Sequence, residues 1–294
     1  MNKVNGFVLI DKPAGITSHK VVSIARRVLN EKRIGHAGTL DPFATGLMIL
    51  GVGRATRLMQ YVIGKDKSYI ATIRLGASSS TDDLTGELVL RDLKSLSKLT
   101  EKEIRDSLNS FQGKIMQRPS SISAIQINGQ RAYDLVRSGQ EVELKERAVE
   151  IYYLKTLQIK FSTDHIDIEI EVKVSSGTYI RAIARDLGEK LGVGGHLISL
   201  RRVTIGNQSI EQAVKINENS SFDIQITSIT DMLTDTFPLR TLDEKEEKDI
   251  SHGRSITPNI EGKITLAINS KRESLALIEN QENVGKPILV LVGE

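Results

Sequence analysis

Apolar and charged side chains alternate without exception along Ile166–Val174. Isoleucine or valine stands at every second position, and Asp, Glu or Lys stands between them. A repeat of two residues places successive side chains on opposite faces of a β-strand, so we expect one buried face and one wet face. Lys67–Leu75 shows the same repeat, with Tyr69 on its apolar face. These two strands predict an antiparallel or mixed sheet with a core on one side.

Helices are predicted between the strands, where a capping residue precedes apolar positions at helical spacing. Thr17 or Ser18 caps the first of them. Thr100 forms a capping box at the start of another, and Gly113 is placed to end it. Thr178 is expected to cap a third. Because the elements lack a regular βαβ order, the predicted fold class is α+β: a mixed, mostly antiparallel sheet with flanking helices.

The chain divides into two predicted domains, in keeping with its 294 residues. Its composition shifts near residue 235, which separates a larger domain, 1–235, from a smaller one, 236–294. An acidic helix over 242–251 and the short strands after it predict a small β-rich C-terminal domain. Within the larger domain, the polar stretch 119–147 separates two core-like regions, and we interpret it as an insertion with a short helix near Tyr133–Arg137.

Composition excludes several kinds of site. The chain contains no cysteine, so it has no disulfide, no thiolate metal site and no cysteine nucleophile. Its five histidines do not lie at ligand spacing, and we predict no metal site. No apolar run approaches the 18 residues of a membrane-spanning helix, and the start lacks a secretory signal. We therefore expect a cytoplasmic protein with no membrane association.

Charge is distributed unevenly along the chain. Residues 1–60 hold nine Lys or Arg against three Asp or Glu, whereas residues 211–294 hold nine basic and fifteen acidic residues. A polyanionic partner is therefore expected to meet the N-terminal two thirds. A solvated surface whose charge simply differs between the domains would explain the asymmetry equally well.

The segment Arg33–Gly46 concentrates residue types that carry chemistry: three glycines, a proline, one histidine and one aspartate. Asp41 adjoins apolar residues, where a carboxylate is costly unless it has a partner or a role. It is a candidate nucleophile or acid–base group. On local features alone, a structural role as the cap of the turn before Pro42 is the more common case. His36 is a candidate for a substrate contact, or else a solvated loop residue.

Two further side chains have both a structural and a functional explanation. Tyr69 is either a core tyrosine, which is the commoner case, or a flat ring on which a base could stack. Arg181 lies at the buried edge of a predicted helix, where a guanidinium requires a carboxylate partner. Asp41 is one candidate for that partner.

Several segments, in one order, resemble motifs of the TruB family of tRNA pseudouridine-55 synthases. The matching segments are Gly6–Gly15, Gly35–Gly46, Lys67–Tyr69, Gly177–Arg181 and Leu200–Arg202. The resemblance extends from Gly6 to about Gly206, and the shared order argues against chance similarity. The structural explanations given above for Asp41, Tyr69 and Arg181 therefore lose most of their weight.

The resemblance implies an isomerase that converts uridine 55 in the T-arm loop of tRNA into pseudouridine after flipping the nucleotide out of the RNA. It implies that no cofactor and no metal take part. It further implies the pseudouridine synthase fold, an RNA-gripping insertion at about 119–147 and a PUA-like C-terminal domain. The expected partner is tRNA, with no guide RNA and no obligate protein partner, and the expected state is a monomer.

The resemblance also implies roles for individual residues. Asp41 is the catalytic aspartate, Tyr69 stacks on the target base, and Arg181 pairs with the aspartate. Three binding positions follow from the motifs themselves: Lys12, Tyr179 and Leu200. His36 is expected to contact the nucleotide as it leaves the helix, and Asp83 matches an acidic position near the flipped base.

Two other functions are alternatives to this one. The guide-RNA-dependent rRNA synthases are the nearest alternative within the family, but the Asp-Pro-Phe-Ala-Thr-Gly segment and the lack of basic terminal tails favour a stand-alone enzyme. A non-catalytic RNA-binding protein is the second alternative. The presence of Asp41 argues against it.

Overall fold

The computed structural model describes residues 4–120, 126–127, 130–131, 144–216, 225–260 and 263–292. The helices of this part are α1 Ser18–Leu29, α2 Met59–Ile63, α3 Leu93–Leu96, α4 Glu101–Asn109, α5 Ile180–Lys190, α6 Ile229–Leu233 and α7 Glu244–Ser251. Short 3-10 turns lie at Gly53–Leu58 and Ile210–Gln212. None of these helices is long and apolar enough to cross a bilayer.

Strands make up most of the remaining structure. The first nine are β1 Gly6–Lys12, β2 Ile34–His36, β3 Thr45–Val52, β4 Lys67–Leu75, β5 Ala77–Ser79, β6 Leu88–Leu90, β7 Gly113–Gln117, β8 Gln126–Ile127 and β9 Gln130–Arg131. The others are β10 Arg147–Phe161, β11 Ile166–Val174, β12 Gly195–Ile205, β13 Gln208–Ser209, β14 Val214–Lys215, β15 Leu239–Thr241, β16 Ile264–Ile268, β17 Ser274–Gln281 and β18 Val284–Val290.

A ten-stranded mixed sheet forms the centre of the structure, in the order β14-β1-β3-β12-β4-β11-β10-β7, with β13 on β12 and β2 on β3. Only β1 with β14 and β12 with β3 run parallel; every other pair of the sheet is antiparallel. The predicted fold class, a mixed and mostly antiparallel sheet with flanking helices, is confirmed. The β4 strand lies between β11 and β12, so its residues are at the middle of the sheet.

The strands predicted from alternation coincide with β4 and β11, and their apolar positions are buried. Thr17 caps α1 by accepting from the N–H of Lys20, and Thr100 forms the predicted capping box of α4. Two helix boundaries were predicted wrongly, the end of α4 and the start of α5. The α4 helix ends at Asn109, and Gly113 instead begins β7. The helix predicted near Tyr133–Arg137 lies outside the described residues.

The start of α5 is the second detail that the structure corrects. Its N-cap residue is Tyr179, not Thr178. The Thr178 hydroxyl instead donates to the carbonyl of Ser175 at 3.0 Å. Local capping preference therefore does not fix where this helix begins.

The sheet has an apolar core on each side of β1. Val8 and Ile10 belong to the cluster that includes side chains of α1, α4 and α5, whereas Phe7 and Leu9 belong to the cluster on the opposite face. Burial on both faces accounts for the unbroken apolar run of this strand.

A four-stranded sheet, β15-β16-β17-β18, forms the small C-terminal unit, as predicted. Its residues Leu266, Leu277 and Leu291 share the second apolar cluster with β1 and β3. Arg57 also donates to the carbonyl of Val290 at 2.8 Å, and Arg54 donates to that of Leu291. The C-terminal sheet therefore packs on the face of the central sheet that is opposite to α1, α4 and α5. Its PUA-like character and the boundary near 235 stay predictions.

Candidate active site

The loop that carries Asp41 connects β2 to β3. The buried side chains of Ser18, Arg202 and Lys12 hold this loop by hydrogen bonds to its backbone. The Ser18 hydroxyl, at the start of α1, accepts from Leu40 N–H and donates to Leu40 O, both at 2.9 Å. Arg202 of β12 donates from Nε to Leu47 O at 2.7 Å and from Nη2 to Gly38 O at 3.2 Å. A segment fixed at both ends in this way holds its side chains in place without help from the substrate.

Gly46 is the second residue of β3 and has a conformation that favours glycine, with φ of 108°. A Cβ at this position would lie 2.2 Å from the carbonyl oxygen of Arg202. The close approach of β3 to β12 therefore depends on a residue without a side chain.

The Lys12 side chain lies on the interior side of the loop and not on its solvent-exposed side. Its Nζ donates to the carbonyls of Pro13, Ile16 and Pro42 at 2.9, 2.8 and 3.1 Å, and the residue is fully buried. Since an ammonium group has three donors, these contacts use all of them. This geometry does not fit the substrate contact expected for Lys12. It fits a residue that ties β1 to the peptide group next to Asp41.

Arg181, in the first turn of α5, forms the predicted ion pair with Asp41. Its Nε lies 2.9 Å from Asp41 Oδ2, and its Nη2 lies 3.3 Å from Oδ1, so two guanidinium nitrogens face the two carboxylate oxygens. Nη1 donates to Thr81 O at 2.9 Å. The Arg181 side chain is only 4% exposed, whereas that of Asp41 is 33% exposed. Arg181 therefore holds the carboxylate from the protein interior, while the opposite side of the carboxylate is exposed to solvent.

Asp83 is the second carboxylate at this arginine. Its Oδ2 lies 3.6 Å from Arg181 Nη1. Its Oδ1 accepts from the Thr81 hydroxyl at 2.6 Å, and from the N–H and hydroxyl of Thr85 at 2.9 and 2.6 Å. Asp83 is buried. The acidic position implied by the family motif thus lies beside the ion pair and shares its cation.

The surroundings of Asp41 raise the pKa of its carboxyl group above the ordinary value. Desolvation is the largest cause, Arg181 opposes it, Asp83 adds to it and Lys12 opposes it. Burial lowers the pKa of Lys12 to about 8, against an upward contribution from Asp41. A carboxylate with a raised pKa is a stronger base than a free aspartate, which suits proton transfer or attack on carbon.

Replacing Asp83 by asparagine is expected to shift the acid limb of the pH–rate profile to lower pH. The substitution removes the negative charge that raises the pKa of Asp41, while an asparagine Oδ1 can still accept from Thr81 and Thr85. Arg181 also keeps Asp41 as its remaining carboxylate. Rates of product formation measured between about pH 4 and 8, near carboxyl and imidazole titration, test this. An acid limb that stays in place or moves upward would contradict the electrostatic role of Asp83.

Tyr69 lies in the middle of the central sheet, close to the loop that carries Asp41. Tyr69 is 7% exposed, stands between Val172 of β11 and Arg202 of β12, and belongs to the same apolar cluster as Leu200. Since Arg202 also holds the Asp41 loop, Tyr69 is one strand away from a residue that positions the carboxylate.

Tyr179 and His36 lie at the edges of this region. The Tyr179 ring packs under the guanidinium of Arg147, which lies 4.8 Å from the ring centre. His36 ends β2 and meets the His19 ring edge-on, with 5.9 Å between centres. Direct contacts thus join Asp41, Arg181 and Asp83, and backbone pairing places Tyr69 next to the Arg202 that holds their loop.

Sequence reasoning assigned no role to Arg202, although it lies in a quoted motif. An arginine in an alternating strand is usually taken as solvent-facing, and its neighbour Arg201 does pair with Asp11 at 2.8 Å on a half-exposed surface. Arg202 is instead 1% exposed. Gly46 was the available signal, because its missing side chain lets β3 approach the backbone of Arg202 closely.

Comparisons with known proteins identify the family of the chain. Residues 26–180 match the family described as TruB family pseudouridylate synthase (N terminal domain), and residues 181–222 match the tRNA pseudouridylate synthase B C-terminal domain. The chain is 43% identical to tRNA pseudouridine synthase B of Corynebacterium diphtheriae over 94% of this chain and 93% of that protein. It is 44% identical to the protein of that name from Mycobacteroides abscessus, over 97% and 96%.

A solved structure shows the same fold at lower identity. It is described as an H/ACA RNP bound to a substrate RNA containing 2'-deoxyuridine, and the matched chain is 22% identical, with a TM-score of 0.68 over 98% of this chain and 85% of that one. The family matches and the nearly full-length relatives lead to one conclusion: this chain belongs to the TruB family of pseudouridylate synthases.

Proposed function

We propose that this chain isomerises uridine to pseudouridine at position 55 in the T-arm loop of tRNA. The observation that carries the proposal is the Asp41 carboxylate, which buried Arg181 holds at 2.9 Å while its front remains open. Relatives above 40% identity over nearly the whole chain carry the name tRNA pseudouridine synthase B, which supports tRNA as the substrate.

The proposed reaction breaks the C1′–N1 bond of uridine and forms a C1′–C5 bond to the same ring. The C5 proton is lost to solvent and N1 gains a proton, so the product is an isomer and no electrons or groups enter from outside. Because the atoms balance within the nucleotide, the reaction needs no oxidant, reductant or group donor, and we propose that it proceeds without an organic cofactor or a metal. The Asp41 carboxylate can attack the sugar or the base, or remove a sugar proton.

The target nucleotide must leave the RNA stack to reach Asp41. In the proposed complex Tyr69 lies against the detached base, and His36 contacts the nucleotide as it leaves the helix. Lys and Arg residues of the N-terminal two thirds supply the contacts to phosphate, which makes binding depend on salt. The enzyme acts as a monomer, without a guide RNA or an obligate protein partner.

We propose that the Tyr69 hydroxyl also takes part in proton transfer after the new C–C bond forms. Replacing Tyr69 by phenylalanine is therefore expected to slow the chemical step by about a hundredfold, the usual effect of losing one acid–base group. The ring would still pack in the apolar cluster of β4, so binding should be kept. Tyr69→Ala should lose both packing and rate. Single-turnover rates and dissociation constants on a T-arm stem-loop separate these effects. A phenylalanine variant within about threefold of wild type, roughly 0.7 kcal/mol, would show that Tyr69 is only a stacking platform.

Tritium release from C5-labelled uridine tests the proposed function. The substrate is a T-arm stem-loop, and the reaction contains no metal, cofactor or guide RNA. We expect release of one tritium for each stem-loop, and none from a stem-loop that carries cytidine at position 55. No release, or release that requires an added guide RNA, would contradict the proposal.

A further inference from the structure

Gln117 makes no contact with the Asp41 carboxylate but holds the helix that carries Arg181. It is the last residue of β7, the edge strand of the central sheet, and is only 1% exposed. Its Oε1 accepts from the N–H of Tyr179 at 2.9 Å, and its Nε2 donates to the carbonyl of Tyr179 at 3.0 Å. One amide side chain therefore binds both backbone polar groups of a single residue.

Tyr179 is the N-cap of α5, a position at which backbone groups need hydrogen-bond partners. The Tyr179 side chain makes no capping hydrogen bond. The bond from Ile183 N–H to Tyr179 O is long, at 3.4 Å. Helix ends carry unsatisfied backbone groups and fray unless side chains bind them. Gln117, 62 residues earlier in the chain, supplies this fixing from the sheet.

A second side chain strengthens the same contact. Arg147 stands directly opposite Gln117 in the pairing of β7 with β10. Its guanidinium lies over the Tyr179 ring and donates to the carbonyl of Gly177. Gln117 and Arg147 lie at the two ends of the insertion predicted at 119–147. Both therefore contact Tyr179, the N-cap residue of α5.

The position of this first turn controls the ion pair. Arg181 follows Tyr179 by two residues, and its guanidinium must face two oxygens of Asp41 and one of Thr81 at once. A planar group with three directed contacts tolerates little displacement. Misplacing a reacting group by about 1 Å can cost on the order of a hundredfold in rate.

We propose that Gln117 is a positioning residue of the reaction, which fixes the first turn of α5 so that Arg181 holds the Asp41 carboxylate in its reactive orientation. Gln117 acts through Tyr179 and Arg181 and does not itself touch the substrate. The proposal rests on the proposed function, because it assigns Gln117 to the same carboxylate.

The test compares Gln117→Leu with Gln117→Glu and a matched control, Gln112→Leu. Leucine removes both hydrogen bonds at similar size, and glutamate keeps the acceptor but loses the donor. Gln112 lies five residues earlier and is exposed. We expect Gln117→Leu to lower the single-turnover rate on a T-arm stem-loop by about thirtyfold or more, with the dissociation constant changed less than about threefold. Gln117→Glu should fall between, and the control should match wild type.

The pH profile distinguishes positioning from a loss of stability. The charged groups that face Asp41 are Arg181 of α5, Asp83 of the loop after β5 and Lys12 of β1. If Gln117→Leu loosens Arg181, the acid limb of the rate moves to higher pH, since Arg181 is the main group that favours the ionised carboxylate. An unchanged rate, or a lower rate with the wild-type pH profile, would overturn the proposal. Gln117→Met, which also loses both hydrogen bonds and adds no charge near Asp41, carries the same test if the leucine variant does not fold.

Titration of the Asp41 carboxyl carbon by NMR in wild type and the uncharged Gln117→Leu variant adds a readout that does not need turnover. A higher Asp41 pKa in the variant supports the positioning role, and an equal pKa contradicts it. A wild-type chain that leaves uridine unchanged would contradict the proposed function, while this comparison would still decide the role of Gln117.

Discussion

Replacing Asp41 by asparagine is expected to lower the rate of pseudouridine formation by roughly four orders of magnitude or more, about 5.4 kcal/mol. An amide has the shape of the carboxylate and can still accept from Arg181, but it cannot attack carbon or take up a proton at this position. Binding of a T-arm stem-loop should stay within about tenfold, roughly 1.4 kcal/mol, because phosphate contacts elsewhere provide most of the affinity.

Single-turnover kinetics at saturating enzyme measure the rate, and anisotropy of a labelled stem-loop measures the affinity. Asp106→Asn is the matched control, since Asp106 is an exposed aspartate on α4. A rate near wild type in the Asp41 variant would remove this residue from the chemistry. A loss of binding as large as the loss of rate would instead assign it to recognition.

Replacing Arg181 by methionine is expected to lower the rate by about a thousandfold, the next largest effect, roughly 4 kcal/mol. Methionine leaves Asp41 without its two guanidinium contacts and Thr81 O without its donor. Since Arg181 lowers the pKa of Asp41, the acid limb of the remaining activity should move to higher pH. Arg181→Lys keeps the charge but not the planar fork, so it should recover only part of the rate.

Removing Arg181 also destabilises the fold, by less than the ~3–5 kcal/mol of a fully buried pair, because Asp41 is 33% exposed. Thermal unfolding of each variant must therefore accompany the rates. Arg105→Met provides the comparison, because it breaks an ion pair on the surface of α4 at 2.7 Å. An Arg181→Met variant that is folded at the assay temperature and retains the wild-type rate and pH profile would rule out the catalytic role of the pair.

The sequence predicted those parts of the molecule in which local pattern and packing agree. Alternation identified β4 and β11 because each strand has one face in the core and one in water. Family motifs indicated Asp41 and Arg181, and the structure places them in contact. The orientation of Lys12 was missed, because a lysine in a motif gives no sign that three carbonyls surround it.

The start of α5 and the burial of Arg202 were missed for a common physical reason, because both depend on contacts between distant segments. Thr178 has the right side chain for a cap, but the helix starts at Tyr179, whose backbone is bound by Gln117. Arg202 is buried because strand pairing places it behind the Asp41 loop. Neither arrangement follows from neighbours in the sequence, since each depends on the register of strands that lie far apart in the chain.

The packing of the C-terminal sheet limits how its sequence can diverge. It meets the central sheet through leucines such as Leu266 and Leu277, and through carbonyls that accept from Arg54 and Arg57. Backbone carbonyls are present whatever side chain a residue carries, so mutation cannot easily remove these acceptors. The apolar inner positions are therefore the ones at which a charged substitution would weaken the attachment. The acidic excess of residues 211–294 does not conflict with this attachment, which uses apolar side chains and backbone carbonyls.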